Sequence, residues 1–250
     1  MRKILSVISI VLLGPLTVLL TIIVIPIALI PFIFGRNAGW RFSQFLYSLW
    51  SKLFLWCTLS RVRIHGKENI PKNGNYVIFP NHSSFFDIPV LTGFVAPNAA
   101  YVARKNLISW GTIGIWILLA GGVLIEQKRS RKELILFKRI IERVERGLPI
   151  IIFPEGTRCK NNKLGRLKKT TLRIPQRAGA SIVPVRLEGT TELLPRGSSW
   201  PRPADIEVFI GKPIEWKRMK DNSDSVLTDL ENFYRESKFY VKHNSRENSG

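Results

Sequence analysis

Between Lys3 and Arg36 the chain carries no charged residue, and nearly every position from Ile4 to Phe34 is apolar. Roughly 20 apolar residues cross a bilayer as a helix. This run is longer, and Pro15, Pro26 and Pro31 interrupt it; each Pro removes a backbone donor and kinks or ends a helix. The run overshoots the apolar stretch of a cleaved signal peptide, about 7–15 residues, and no small-x-small site follows. Two arrangements stay open, a single tilted span and a re-entrant helical hairpin turning near Pro15. Arg2 and Lys3 before the run, with Arg36 and Arg41 after it, put positive charge at both ends, which favours the cytoplasmic side. The expected location is the cytoplasmic (inner) membrane, with the rest of the chain facing the cytoplasm.

From Trp40 to Leu59 the chain is rich in aromatics. Phe42, Phe45, Leu46, Leu49, Trp50 and Leu53 recur at spacings of three and four, an apolar face at helical period. With Arg41 and Lys52 snorkelling, this predicts a helix lying in the interface plane. A core helix of the following domain is the competing reading. Residues 1–60 are thus expected to form a membrane anchor and residues 61–250 a globular domain.

Charge narrows the partners without choosing one. The 250 residues hold 38 Lys and Arg against 18 Asp and Glu, a formal charge of +20. Such a field draws polyanions: nucleic acid, anionic lipid head groups, or acidic carrier proteins and phosphorylated substrates. Cys57 and Cys159 stand far apart, which excludes a disulfide framework or a zinc site with clustered ligands and favours a reducing compartment. Imidazole chemistry falls on His65, His82 or His243.

After Val62, short apolar runs alternate with helical stretches. Strand candidates are Tyr76 to Phe79, Ala100 to Ala103, Gly122 to Ile125, Ile150 to Phe153, Ile182 to Val185 and Ile206 to Ile210. Helices are expected over Arg131 to Arg146, closed by Gly147, and over Asp224 to Lys238, with a polar tail beyond. This order predicts an α/β fold, a largely parallel central sheet with flanking helices. Ligands in such sheets gather at the carboxyl ends of the strands.

Two polar motifs stand there. In Pro80-Asn81-His82-Ser83-Ser84-Phe85-Phe86-Asp87 a strand ends at a His. Residues five apart on a regular helix diverge by about 140°, so His82 and Asp87 pair only if His82 precedes the helix. A His oriented by a carboxylate beside free N–H groups has the makings of a general base next to an oxyanion site; a helix-capping His is the plainer alternative. In Phe153-Pro154-Glu155-Gly156-Thr157-Arg158-Cys159 a strand ends in a turn expected to expose Glu155, Thr157 and Arg158 together. Arg158 offers a planar fork for phosphate, Gly156 lets backbone approach a ligand, and a surface turn with an incidental Arg is the plainer alternative. Lys160, Lys163, Arg166, Lys168 and Lys169 follow, and Arg104 and Lys105 end another strand.

Together these motifs resemble the 1-acyl-sn-glycerol-3-phosphate acyltransferase (lysophosphatidate acyltransferase) family of membrane-bound glycerolipid acyltransferases. Asn81, His82 and Asp87 match its N-H-x-x-x-x-D; Phe153 to Arg158 match its F-P-E-G-T-R-S, with Cys159 for the Ser. Lys168-Lys169 through Ala178-Gly179 to Val183-Pro184-Val185 match a third block. The resemblance covers roughly residues 62 to 215. It implies acyl transfer from a thioester of acyl carrier protein or coenzyme A to the sn-2 hydroxyl of lysophosphatidate, a membrane lipid, giving phosphatidate. His82 would be the base, Asp87 its orienting partner, and the N–H groups near Ser83 and Ser84 the oxyanion donors. Glu155, Gly156, Thr157 and Arg158, with Arg104, Lys105 and Lys168, would bind the acceptor. No cofactor, metal or nucleic acid is implied. Gln127 replaces a family Arg and Thr170 a family Gly, which leaves another lysolipid acceptor open. A serine hydrolase lacks its G-x-S-x-G elbow here. A non-catalytic, membrane-tethered basic module is the reading from a different class.

Overall fold

The computed structural model describes residues 4, 11, 23–72, 75–110, 112–126, 130–158, 164–194 and 201–236. Seven strands form one sheet: β1 (Arg61–His65), β2 (Tyr76–Pro80), β3 (Ala100–Arg104), β4 (Val123–Ile125), β5 (Ile150–Ile151), β6 (Ser181–Glu188) and β7 (Asp205–Ile210). Their order is β1-β7-β6-β2-β5-β3-β4, and every neighbouring pair is parallel except β6 with β7. The α/β expectation holds. The central strands read as unbroken apolar runs because they are buried on both faces: Ile78 joins one core while Val77 and Phe79 join the other. Strand β1, which the motif reading passed over, alternates outward Arg61, Arg63 and His65 with half-buried Val62 and Ile64, as an edge strand does. The run expected from Ile150 to Phe153 pairs over only two residues, although the Ile152 N–H still reaches the Ile78 carbonyl at 3.0 Å.

Helices α1 (Arg36–Cys57), α2 (Asp87–Val90, continued by a π turn Leu91–Val95) and α3 (Thr112–Leu119) cover one face. Helices α4 (Arg131–Glu145), α5 (Arg173–Ala178), α7 (Trp216–Asp221) and α8 (Ser223–Arg235) cover the other, and the short α6 (Thr190–Leu193) follows β6. Helix α4 starts where expected, with the Ser130 hydroxyl accepting the Glu133 N–H, and Gly147 ends it at φ +75°. Helix α8 begins one residue early, capped by Asn222; residues 237–250, including the expected tail, lie outside the described residues.

Most of the Ile4–Phe34 run also lies outside them. Residues 23–29 are helical and lead into a 3-10 turn, Ile30–Phe34. Among the described residues no helix is long and apolar enough to cross a membrane. Helix α1 packs one side into the domain, as the core-helix reading of its segment expects. Its buried side is small and polar: Gly39, Ser43, Gln44, Ser48 and Ser51, with Tyr47 and Leu55. Small residues let it lie close to α2 and α3, and the Gln44 amide donates to the Ala120 carbonyl at 3.0 Å. Phe45, Leu49, Leu53 and Trp56 face outward. The expected apolar face is thus split, with Phe42, Leu46 and Trp50 half-buried at its margin.

Candidate active site

Strand β2 ends at Pro80, and the chain turns into α2 through residues 81–86. Asn81 fixes the turn to β6: its side-chain oxygen accepts the Leu187 N–H at 2.7 Å and its amide donates to the Leu187 carbonyl at 3.2 Å. His82 thus precedes the helix, as the five-residue spacing required. Its Nδ1 lies 2.9 Å from Asp87 Oδ2, and its ring stacks on Phe153 with centroids 3.9 Å apart. Asp87 is fully buried. Oδ2 also accepts the N–H groups of Ser83 and Ser84 at 2.7 and 2.8 Å, and Oδ1 accepts the Thr190 hydroxyl at 2.6 Å. With donors on every side, the carboxylate is the acceptor toward His82. The proton then sits on Nδ1, leaving the Nε2 lone pair to take one from a substrate.

This geometry corrects one expectation. The Ser83 and Ser84 N–H groups point at Asp87 rather than into free space, because the tight turn wraps the carboxylate. They hold the carboxylate that pairs with His82 and are not free to face an oxyanion.

The second turn departs further from expectation. Thr157 and Arg158 are exposed, but Glu155 is buried. Its Oε1 accepts the His82 N–H and its Oε2 the Gly165 N–H, each at 2.8 Å. Burial pushes its carboxyl up to about 7, against those two N–H groups, which pull it down, and the nearby Asp87, which adds to the rise. Glu155 therefore ties the His82 turn to the loop carrying Lys168 rather than offering a free carboxylate to an acceptor. Gly156 sits at φ +69°, and a Cβ there would lie 2.6 Å from Lys168 Nζ. Arg158 stacks its guanidinium 3.5 Å over the Phe85 ring.

Between these turns and α4 opens a cavity of about 1250 Å³. His82, Gly156, Thr157, Arg158, Lys168 and Arg104 line it. Lys105 does not; its ammonium pairs with Glu126, an attraction that raises its own proton affinity. Apolar walls come from Phe85, Ile88, Leu107, Phe137, Ile152 and Phe153. Thr170 also lines it, while Gln127, Cys159, Lys160 and Lys163 lie outside the described residues.

A sequence profile described as Acyltransferase matches residues 61–188. The chain belongs to the acyltransferase family. It is 30% identical over 176 residues to the chloroplastic 1-acyl-sn-glycerol-3-phosphate acyltransferase BAT2 of Brassica napus, covering 70% of this chain and 51% of that one. The 1-acyl-sn-glycerol-3-phosphate acyltransferase of Borreliella burgdorferi is 24% identical over 193 residues, 76% of this chain and 77% of its own. The alignments span about half the length of the plant relatives. Among solved structures, the LPA acyltransferase PlsC from Thermotoga maritima superposes with a TM-score of 0.77 at 26% identity, over 94% of this chain and 97% of that one.

Motif reading missed four residues that the fold brings in. Thr190 lies two positions beyond the matched stretch and reaches Asp87 because β6 runs beside β2. Arg131, Arg173 and Arg177 line the cavity from α4 and α5. For the arginines the available signal was the 173/177 spacing, one helical turn on a segment that ends at Gly179.

Proposed function

We propose that the protein transfers a fatty acyl group from an acyl thioester to the sn-2 hydroxyl of lysophosphatidate, producing phosphatidate. The observation that carries this is the His82–Asp87 pair at the wall of a cavity that is apolar along its sides and cationic around its polar groups. Nε2 of His82 removes the proton from the acceptor hydroxyl as its oxygen attacks the thioester carbonyl. Asp87 holds the tautomer and faces the imidazolium that forms; the proton then leaves with the departing thiolate. Positioned proton transfer contributes on the order of 10²–10⁴-fold, and holding two substrates in register supplies much of the remainder. Arg158 and Lys168 hold the acceptor phosphate, and the apolar walls receive the acyl chain. Residues 1–60 anchor the enzyme at the cytoplasmic face of the inner membrane, with the outward side of α1, Phe45, Leu49, Leu53 and Trp56, meeting lipid.

The test is transfer from a labelled acyl thioester to lysophosphatidate in detergent, with wild type and His82→Ala side by side. Wild type should form phosphatidate, and the variant, shown to be folded by circular dichroism, should lose on the order of 10²–10⁴-fold in rate. Acylation of a different lysolipid in place of lysophosphatidate would move the acceptor. Consumption of no thioester with any acceptor would overturn acyl transfer and leave a tethered binding module.

A further inference from the structure

The cavity has more positive charge than one acceptor needs. Among the described residues, Arg104, Arg131, Arg158, Lys168, Arg173 and Arg177 line it against the single carboxylate of Glu133. A phosphomonoester carries about −1.5 to −2 charges at neutral pH, which Arg158 and Lys168 beside the His82 turn already match. A volume near 1250 Å³ also exceeds the roughly 300–1,000 Å³ typical of a site for one small ligand. Both excesses point to a second anionic molecule present at the same time.

The surplus cations are not scattered. Arg173 and Arg177 are one turn apart on α5, so their side chains leave the same face of that helix. The Arg177 guanidinium stands 5.7 Å from the centre of the Phe137 ring on α4, and Arg131 opens α4. All three reach the cavity from the two packed helices, whereas Arg158 and Lys168 reach it from the loops bound to the His82 turn. An acceptor phosphate is only a few bonds from the hydroxyl that His82 deprotonates, which ties it to the loop cations. The other reactant has its charge at a distance from its reacting carbonyl. An acyl thioester on a pantetheine arm keeps its phosphate at the far end of that arm.

We propose that Arg173 and Arg177, supported by Arg131, form an anion subsite for a phosphate on the carrier arm of the acyl donor. This rests on the acyl-transfer reading. Coenzyme A and an acyl carrier protein share the phosphate of the pantetheine arm, and coenzyme A adds nucleotide phosphates.

The experiment measures KM in neutral detergent for three donors with one acyl chain: acyl-coenzyme A, acyl-phosphopantetheine and acyl-pantetheine, which has no phosphate. Wild type should favour the phosphorylated donors. In Arg173→Ala/Arg177→Ala that preference should collapse, with KM for the phosphorylated donors rising on the order of 10-fold or more toward that of acyl-pantetheine. KM for lysophosphatidate should hold. Collapse for both phosphorylated donors assigns the phosphate shared with carrier protein; collapse for acyl-coenzyme A alone assigns the nucleotide phosphates. A rise in lysophosphatidate KM instead, an equal rise for acyl-pantetheine, or no change overturns the subsite. Calorimetric titration with coenzyme A itself separates the two levels. Binding that wild type shows and the double variant loses keeps the subsite even if no acyl transfer is seen, and no binding to wild type overturns it.

Discussion

Asp87, after β2, and Glu155, after β5, are buried carboxylates at the ends of adjacent strands. Each is held by backbone N–H groups, yet they serve different ends. Asp87 adds three side-chain partners, the His82 ring and the Thr190 and Ser83 hydroxyls, so its charge is delivered to a group that lines the cavity. Both Glu155 oxygens go to main chain, His82 N–H and Gly165 N–H, so its work is to join two loops. What a buried acid touches decides whether it takes part in chemistry or in architecture, and sequence type alone does not separate the cases.

The largest effect should come from Asp87→Asn. The amide carries no charge to face an imidazolium, and its NH₂ replaces either the Oδ2 that accepts from His82 or the Oδ1 that accepts from Thr190, so kcat should fall on the order of 10³–10⁴-fold in a protein whose circular dichroism is unchanged. Glu155→Gln should act on stability first. Its NH₂ group cannot accept either backbone N–H, whereas a carboxyl oxygen keeps a lone pair to do so even when protonated, so the change costs about 1–3 kcal/mol, while kcat stays within about tenfold. If Glu155→Gln lowered kcat as far as Asp87→Asn, the distinction between the two acids would collapse.

The same variant carries a pH signature. Burial raises the folded-state Glu155 carboxyl to about 7 from the usual 4.5. The folded state thus holds the proton more tightly than the unfolded chain. The contribution to stability is complete below about 4.5 and is lost as pH rises through about 7. The wild-type advantage over Glu155→Gln in thermal melts should therefore be widest near pH 4.5 and shrink toward pH 7, by at most about 1.4 kcal/mol per pH unit. An advantage that is flat across that window would show that burial does not hold the proton.

Thr190 sharpens the contrast from the Asp87 side. Thr190→Val removes one donor to a charged acceptor, worth about 1.5–3 kcal/mol, and should lower kcat roughly tenfold or more without moving KM for lysophosphatidate. Thr190→Ser should restore it. The smallest effect on the domain belongs to the outward side of α1. Phe45→Ser/Leu49→Ser should leave domain stability within about 0.5 kcal/mol per site but weaken co-sedimentation with anionic lipid vesicles.

The His82–Asp87 pair was legible because it is local: five residues separate the two, and the preceding apolar strand fixes where the turn falls. The sheet was legible for the same reason, as Val77, Ile78 and Phe79 announce a strand buried on both sides. Glu155 was misread because its donors come from residues 82 and 165, contacts that no local pattern displays. Lys105 was grouped with Arg104 because they are neighbours, yet successive residues at a strand end diverge, and Glu126 claims the lysine. Helix α1 was hard to orient because its buried stripe is made of Ser, Gly and Gln, residues chosen for close approach. Hydrophobic period weighs side chains by greasiness and is blind to that use of smallness.

Tyr234, buried in the last described helix, donates its hydroxyl to the Phe79 carbonyl at 2.8 Å, three residues before His82. Leu187 and Thr190 also hold the His82 turn from far downstream. During synthesis, His82 leaves the ribosome more than a hundred residues before Leu187, Thr190 and Tyr234 do. The turn after β2 is therefore completed from downstream, and it gains these supports only once the chain through Tyr234 has folded back onto the sheet.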